Sequence, residues 1–470
     1  MRASVAAEKE GIRSVSIVTT GFLRQARATA QALGLSNLAI AEYRGVPMTD
    51  SHLSLQDKVV ESMVDDVVKG LTTSSETMAP VKTEDRDKPS PRAIIFKGTL
   101  GDVQEYFHSN LWTDGLPVIP PTIENVEGFL KFTDRSPDEI IGVLPLEQRE
   151  ATIWNIAVNG VMAGCRPEYM PVLIAAVEAI ADPGFNLENA GSTPGWEPLV
   201  ILNGPIMKEL DFNYESGVMR VGRQANTSIG RFLRLYLRNV AGFRIPPGAT
   251  DKGCIAGTFN VVLAENEDAA IELGWEPFSV DRGFSRGENV VTVQSCVSIS
   301  PPTYSGGDKP VDHVETIAEV IGRQTMGYWT PIAGVHNGMA YPLIVLSPSV
   351  AGVIARGGWT KNDVRQYLYD NTRVRAGLVE KLAWQVGIST FSFQSYVERG
   401  IVPGHYSESS DPDRMVPVFL KPEWIGIVVS GDPCRNQSKG YVQNQKMGWP
   451  TSKRIRKPAN WNELLRKKKR

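Results

Sequence analysis

A chain of 470 residues exceeds the ~100 to 200 typical of one domain, which implies two or three packed units. Hydrophobic residues at 42% and charged residues at 22% are globular values and exclude a disordered, collagen-like or disulfide-scaffold chain. With 50 basic against 52 acidic side chains the net charge is -2, so no global field gathers nucleic acid or an acidic membrane.

In chain order, SVSIVTTG from residue 14 reads as a buried strand ending in a small-residue turn, and FLRQARATAQALG as a helix stopped by Gly34. NLAIAEY is a second short strand, and LQDKVVESMVDDVVKGL a helix whose Val59, Val60, Met63, Val64, Val67 and Val68 form an apolar face. Residues 1–71 are thus a βαβα piece too small to be comfortable alone. Residues 72–92, rich in Ser, Thr, Pro and charge, read as a linker. From 93 to 470 the composition is that of a larger, mixed α/β unit, closed by a basic tail that reads as a solvated end.

Inside this unit a strand, small turn and helix start recur in EPLVILNGPI, YPLIVLSPSV and, more loosely, WIGIVVSGDPCRN. They suggest two diverged modules, about 93–300 and 301–470. The plainer account is that any α/β chain produces such echoes. Between them, GCIAGTFNVVLAENEDAA reads as a strand feeding a helix and NVVTVQSCVSI as a β-branched strand.

The strand-to-helix turns Asn203-Gly204-Pro205 and Ser347-Pro348-Ser349 offer helix N-termini, which bind anions without special side chains but are also ordinary capped starts. Cys434 in SGDPCRN is expected in the first turn of a helix beside Arg435, an environment that favours thiolate. Cys165, beside Arg166 between two helices, repeats that chemistry, although a free cysteine is commonly a small buried hydrophobe. Cys254 and Cys296 read as core, and no CxxC or HxxxH spacing suggests a metal.

WTDGLPVIPPT reads as a rigid extended loop presenting Trp112, Thr113 and Asp114, with Asp114 either capping a turn or facing a ligand. In GRQANTSIGRFLRLYLRN, Arg223, Asn226, Thr227 and Ser228 precede Arg231, Arg234 and Arg238 on one helical face. That face suits a carboxylate or phosphate, or surface ion pairs. Glu265 and Glu267 flank Asn266 after a strand. Alternation sends them to opposite sides, which argues against an acid–base pair and leaves Glu265 as a helix cap. His336, in a Gly-rich turn ahead of a strand, is a general-base candidate. No GxGxxG after a strand, GxxxxGK[ST] or GxSxG occurs. A signal peptide is not expected at the charged N-terminus, and no run reaches the roughly 18 apolar residues of a membrane span. A reducing, cytoplasmic setting is the default.

SVSIVTTGFLRQARATAQALGLSNLAIAEY with the helix ending DDVVKGL resembles the second half of the UGSC-motif family, small α/β proteins named for a selenocysteine or cysteine followed by Gly-Ser-Cys. The motif itself occurs nowhere in the 470 residues. WTDGLPVIPPT, NGVMAGCRPEYMPVLIAAVEA, ILNGPI, RQANTSIGR, the ENED to WEPF passage and SGDPCRNQSKGYVQN resemble the long companion region found with some members. The resemblance implies a large subunit of a heteromeric enzyme whose small partner supplies the missing half-domain and its reactive thiol or selenol. The expected chemistry is thiolate-dependent, lyase or reductive cleavage, on a small polar or anionic substrate. Asp114, Asn203, Arg223, Asn226 and Glu265 would orient substrate, with Cys434 or Cys165 as second thiol and any cofactor unknown. A self-contained acid–base enzyme using Glu265 and His336, or a non-catalytic scaffold, are the alternatives.

Overall fold

The computed structural model describes the chain except residues 33, 36, 48, 73–89, 91, 146, 192, 246–252, 254, 256, 445 and 469–470. Most of the expected linker, 72–92, and Cys254 lie outside the described residues. The chain is α/β and divides into two units, residues 1–97 with 145–149 and 244–250, and residues 98–144, 150–243 and 251–470.

The first unit begins with a helix, Arg2–Lys9, that the sequence reading did not include. Its anchor is Val5, buried against Ala30, Leu35 and Leu38. β1 (Ser16–Thr19) and β2 (Ile40–Tyr43) pair in parallel, with the helix Leu23–Ala32 between them. After β2, Ser51 caps a helix that runs from His52 to Thr72 through a π-helical stretch at Val59–Met63. The apolar face expected on this helix is divided. Val59, Met63 and Val67 are half-buried, whereas Val60, Val64, Val68 and Leu71 are exposed, Val60 by 64%. Ile17 of β1 is exposed as well. A two-stranded sheet is too small to cover that apolar surface.

β3 (Ile140–Leu144) and β4 (Arg149–Thr152) form a short ladder. The central sheet contains β5 (Glu197–Asn203), β6 (Leu263–Ala264), β7 (Val290–Ile299) and β8 (Thr303–Tyr304). It continues with β9 (Leu343–Leu346), while β10 (Arg373–Arg375) and β11 (Met415–Pro417) pair apart from it. β12 (Gly426–Val429), β13 (Gln437–Gln443) and β14 (Thr451–Arg454) complete it. The order is β12-β9-β13-β7-β5-β6, with β14 on β7 and β8 on β13. β5 has a parallel neighbour, β6, and an antiparallel one, β7. β9 has the same pair in β12 and β13. The two triplets meet through antiparallel β7 and β13, where Cys296 faces Gln443. The pattern of parallel and antiparallel pairing is therefore palindromic about the β7–β13 ladder.

Alternate residues of these strands, among them Leu199, Ile201, Leu263, Cys296, Leu343, Val345, Val428 and Tyr441, pack into one apolar cluster. Ile344, Leu346, Ile427 and Val429 face the other way, against helices of the C-terminal half. The helix Met170–Ala181 is buried almost all round, which accounts for its apolar sequence. No single helix among the described residues is long and apolar enough to cross a membrane.

Three local expectations are corrected. The strand expected within GCIAGTFNVVLA contracts to Leu263–Ala264, because only the last residues of β5 offer it a ladder partner. His336 lies in the last helical turn of Trp329–Asn337, which Gly338 ends in the left-handed region. SGDPCRN leads from β12 into β13, with no helix between them. Cys434 therefore sits in an exposed turn, held by its N–H donating to Asp432 Oδ1 at 2.8 Å, and gains nothing from a helix dipole.

Candidate functional site

The densest group of expected site residues lies where β5 and β6 end. Gly204 turns the chain there with φ +98°, and a Cβ would come within 2.5 Å of Glu288 O, so only glycine fits. Asn203, fully buried, donates through Nδ2 to Glu265 Oε2 at 2.7 Å and to Glu267 Oε1 at 2.8 Å. The expectation that these two carboxylates diverge is thus overturned. Strand geometry stops at Ala264, and Asn266 caps a helix beginning at Glu267, so the period-two alternation does not reach them.

Glu265 is completely buried and also accepts the N–H of Phe278 at 2.6 Å and of Val429 at 3.2 Å. The helix cap assigned to it falls to Asn266 instead. Burial pushes its pKa up, against Lys361 and the hydrogen bonds, which pull it down. Lys361, itself buried, stands 3.9 Å from Glu265 and 3.3 Å from Asp281. Glu267 is also raised, by desolvation first and by the neighbouring Glu265 charge. It is only partly buried, so it is the member of the pair that solvent or a ligand can reach. The Asn203 Oδ1 atom is buried with no hydrogen-bond partner.

This group also joins the edges of the sheet. Asn266 N donates to Val429 O at 2.8 Å, and Ser430 Oγ to Ala264 O at 2.7 Å. Glu265 follows β6 as Ser430 follows β12, since the amide of each donates back to the last residue of its parallel neighbour, Leu202 or Leu346. Each side chain then bonds the backbone of the opposite strand. The sheet curls until β6 and β12 meet, with Glu265 in place of a ladder carbonyl.

Other expected site residues form separate groups. Asp114 receives a bidentate bond from Arg231 at 2.8 Å, and Arg231 also reaches Pro117 O. Burial pushes the Asp114 pKa up, but the Arg231 hydrogen bond and charge outweigh it and hold the carboxyl below its usual value. Thr113 bonds His108 Nδ1, and Trp112 stacks edge-on with Tyr106 and Phe107. Arg238 and Asn239 hold the backbone of Leu111 and Trp112. The expected rigid loop is therefore clamped to the helix Gln224–Asn239. Asn226 uses its amide to pin Asn213 and Val262 O, and Arg223 pairs with Asp211 at the surface. Ser347 caps the helix Pro348–Arg356 and donates to Arg435 O at 2.6 Å. His336 bonds Tyr396 OH, and desolvation with the Lys446 and Arg399 charges pushes its pKa down.

Among the cysteines, burial pushes the Cys165 thiol up to about 12, outweighing a Ser228 hydrogen bond and the Arg231 charge. Burial also raises Cys296. Local arginines do not make Cys165 a thiolate, because desolvation is the larger effect. Titration of the folded chain with Ellman's reagent is expected to lose one fast-reacting thiol in Cys434→Ser, with Cys165→Ser and Cys296→Ser leaving the fast phase intact. Among the described residues no group of three or more His, Cys, Asp or Glu side chains is placed to hold a metal ion.

Lys361 and Asp281 were missed in the sequence, since the 80 residues between them carry no local pattern. Glu267 was visible, but its strand neighbour's alternation was extended too far. Compared with known proteins, residues 1–73 match the model of the UGSC family, so the N-terminal region is UGSC-like. No curated protein and no solved structure matches the chain.

Proposed function

We propose, taking the UGSC-like character of residues 1–73 as premise, that the chain is the large subunit of a two-chain enzyme. Its second unit binds a small polar organic substrate at the Asn203–Glu265–Glu267 cluster. The partner covers the first unit's apolar face and brings the Cys-Gly-Ser-Cys turn and its thiol chemistry. The observation that carries the reading is the single buried amide shared by two carboxylates, with its own oxygen unpartnered. An unsatisfied buried acceptor is costly unless a ligand donor meets it, so hydroxyl- or amine-bearing substrates fit better than anionic ones.

Glu267, raised in pKa and reachable, is the proton-transfer group, while Glu265 and Asn203 position it. Proton transfer of this kind suits a lyase better than a reductive cleavage. The exposed Val60, Val64 and Val68 support the partner. Among the described cysteines, the raised Cys165 and Cys296 leave Cys434, besides the partner, as the candidate for the reactive thiol. Reduced, unpaired Cys165, Cys296 and Cys434 fit a cytoplasmic setting.

Affinity purification from the native source, with mass spectrometry, is expected to recover a short chain containing Cys-Gly-Ser-Cys. Val64→Lys with Val68→Lys should release it without changing the melting temperature, and an unchanged complex would remove the partner surface. For the site, ethanolamine and glycerol are the probes. Chemical-shift changes at Asn203 lost in Glu267→Gln support the reading, and saturating probe without any change at Asn203 overturns it.

A further inference from the structure

Between β8 and the helix Pro310–Ile317 lies a serine–histidine pair that the cluster above does not use. His313 is fully buried. Its Nε2 is 3.2 Å from Gly307 O and its Nδ1 2.7 Å from Ser305 Oγ. A carbonyl only accepts, so Nε2 carries the proton. In the neutral ring Nδ1 is then the acceptor, and the Ser305 hydroxyl donates to it. A serine hydrogen-bonded to an imidazole whose far nitrogen is fixed by a third group is the arrangement of an activated nucleophile.

The loop is shaped to hold it. Gly307 has φ +128°, and a Cβ there would lie 2.3 Å from Asp312 Oδ2, so glycine is required for its carbonyl to face His313. Ser305 is only half-buried, and Gly306, Gly307, Asp308 and Lys309 beside it are exposed. The base is thus sequestered, and Ser305 is the more exposed member of the pair.

We infer that Ser305 and His313 form a second, acyl-transfer site accepting small carboxylic esters. Ser305 Oγ attacks the ester carbonyl as its proton passes to His313 Nδ1, with the imidazolium held by Gly307 O. The carbon–oxygen bond to the leaving alcohol breaks as that proton is returned to it. Water, deprotonated by the same nitrogen, then adds to the acyl carbon, and the acyl–Oγ bond breaks as Nδ1 returns that proton to Oγ, which releases the acid and restores Ser305. This site is independent of the Glu267 reading and stands or falls separately.

The full-length chain is treated with a fluorophosphonate probe and with p-nitrophenyl acetate. A mass adduct on Ser305, absent in Ser305→Ala and at least ~10-fold slower to form in His313→Gln, supports the assignment. A folded chain with no adduct on Ser305, or an equal rate in His313→Gln, overturns it. Because His313→Gln changes a buried group, Ser305→Cys is the second variant. Its new thiol should react with iodoacetamide at pH 6 at least ~10-fold faster than Cys434 of the same chain, and an equal or slower rate also overturns the site.

Discussion

Replacing Glu265 by leucine is expected to destabilise the second unit by about 3–5 kcal/mol, the range for removing one partner from a buried polar network. Two donors, Phe278 N and Val429 N, would lose their acceptor and Asn203 Nδ2 one of its two, and Lys361 would lose a nearby negative charge inside the fold. Urea unfolding followed by tryptophan fluorescence measures the loss. A change below ~1 kcal/mol would mean that water replaces the carboxylate and that the seam between β6 and β12 is not held by it. The pH dependence has a definite sign. Glu265 and Glu267 have folded pKa values above their ordinary 4.5, so the folded state holds protons more tightly than the unfolded one. Their contribution is fully present below pH 4.5 and is lost as pH rises through the folded values. Glu267→Gln should therefore flatten the stability profile on the alkaline side of 4.5.

Breaking the Asp114–Arg231 pair is expected to cost about 2–3 kcal/mol from either side, the range for charge-assisted bonds that are mostly out of water. Both side chains are less than a fifth exposed, at 15% and 18%. Arg231→Ala also frees Pro117 O, so it should cost slightly more than Asp114→Ala. The double variant should cost clearly less than the sum, because each single change strands the other charge. Strict additivity would show that the two groups are solvated separately. Here the pH sign is opposite. Arg231 holds the Asp114 carboxyl below its ordinary 3.8, so the stabilisation is present above 3.8 and disappears as pH falls through the lower folded value. Loosening of the 112–122 loop in acid, read by hydrogen exchange, follows.

Much of the architecture was legible because local rules decide it. The βαβα order of the first segment follows from hydrophobic period and Gly34, and the strand Val290–Ile299 from its β-branched alternation. Ser347 caps its helix as the Ser-Pro pair announces, and the rigid 112–122 loop follows from its prolines. Asn203, Gly204 and Glu265 were marked by their places after apolar strands, and the fold does bring them together.

What failed in the sequence were judgements on features that distance and burial settle. Cys434 was assigned a helix because a turn after a strand looks alike whether a helix or a strand comes next, and pairing of β13 with β7 and β9 decided it. Cys165 was judged by its neighbour Arg166, yet its thiol answers to desolvation from packed elements. Asp114 and Arg231 meet across 117 residues, and Ser305 acquires a histidine only when Gly307 folds the loop back. The amino-acid order by itself determined which segments become strands, helices and turns, since those depend on backbone preference and period over a few residues. The tertiary structure alone decided which charges lie together and which lose their water, because ionisation and hydrogen-bond strength depend on the medium that distant segments create.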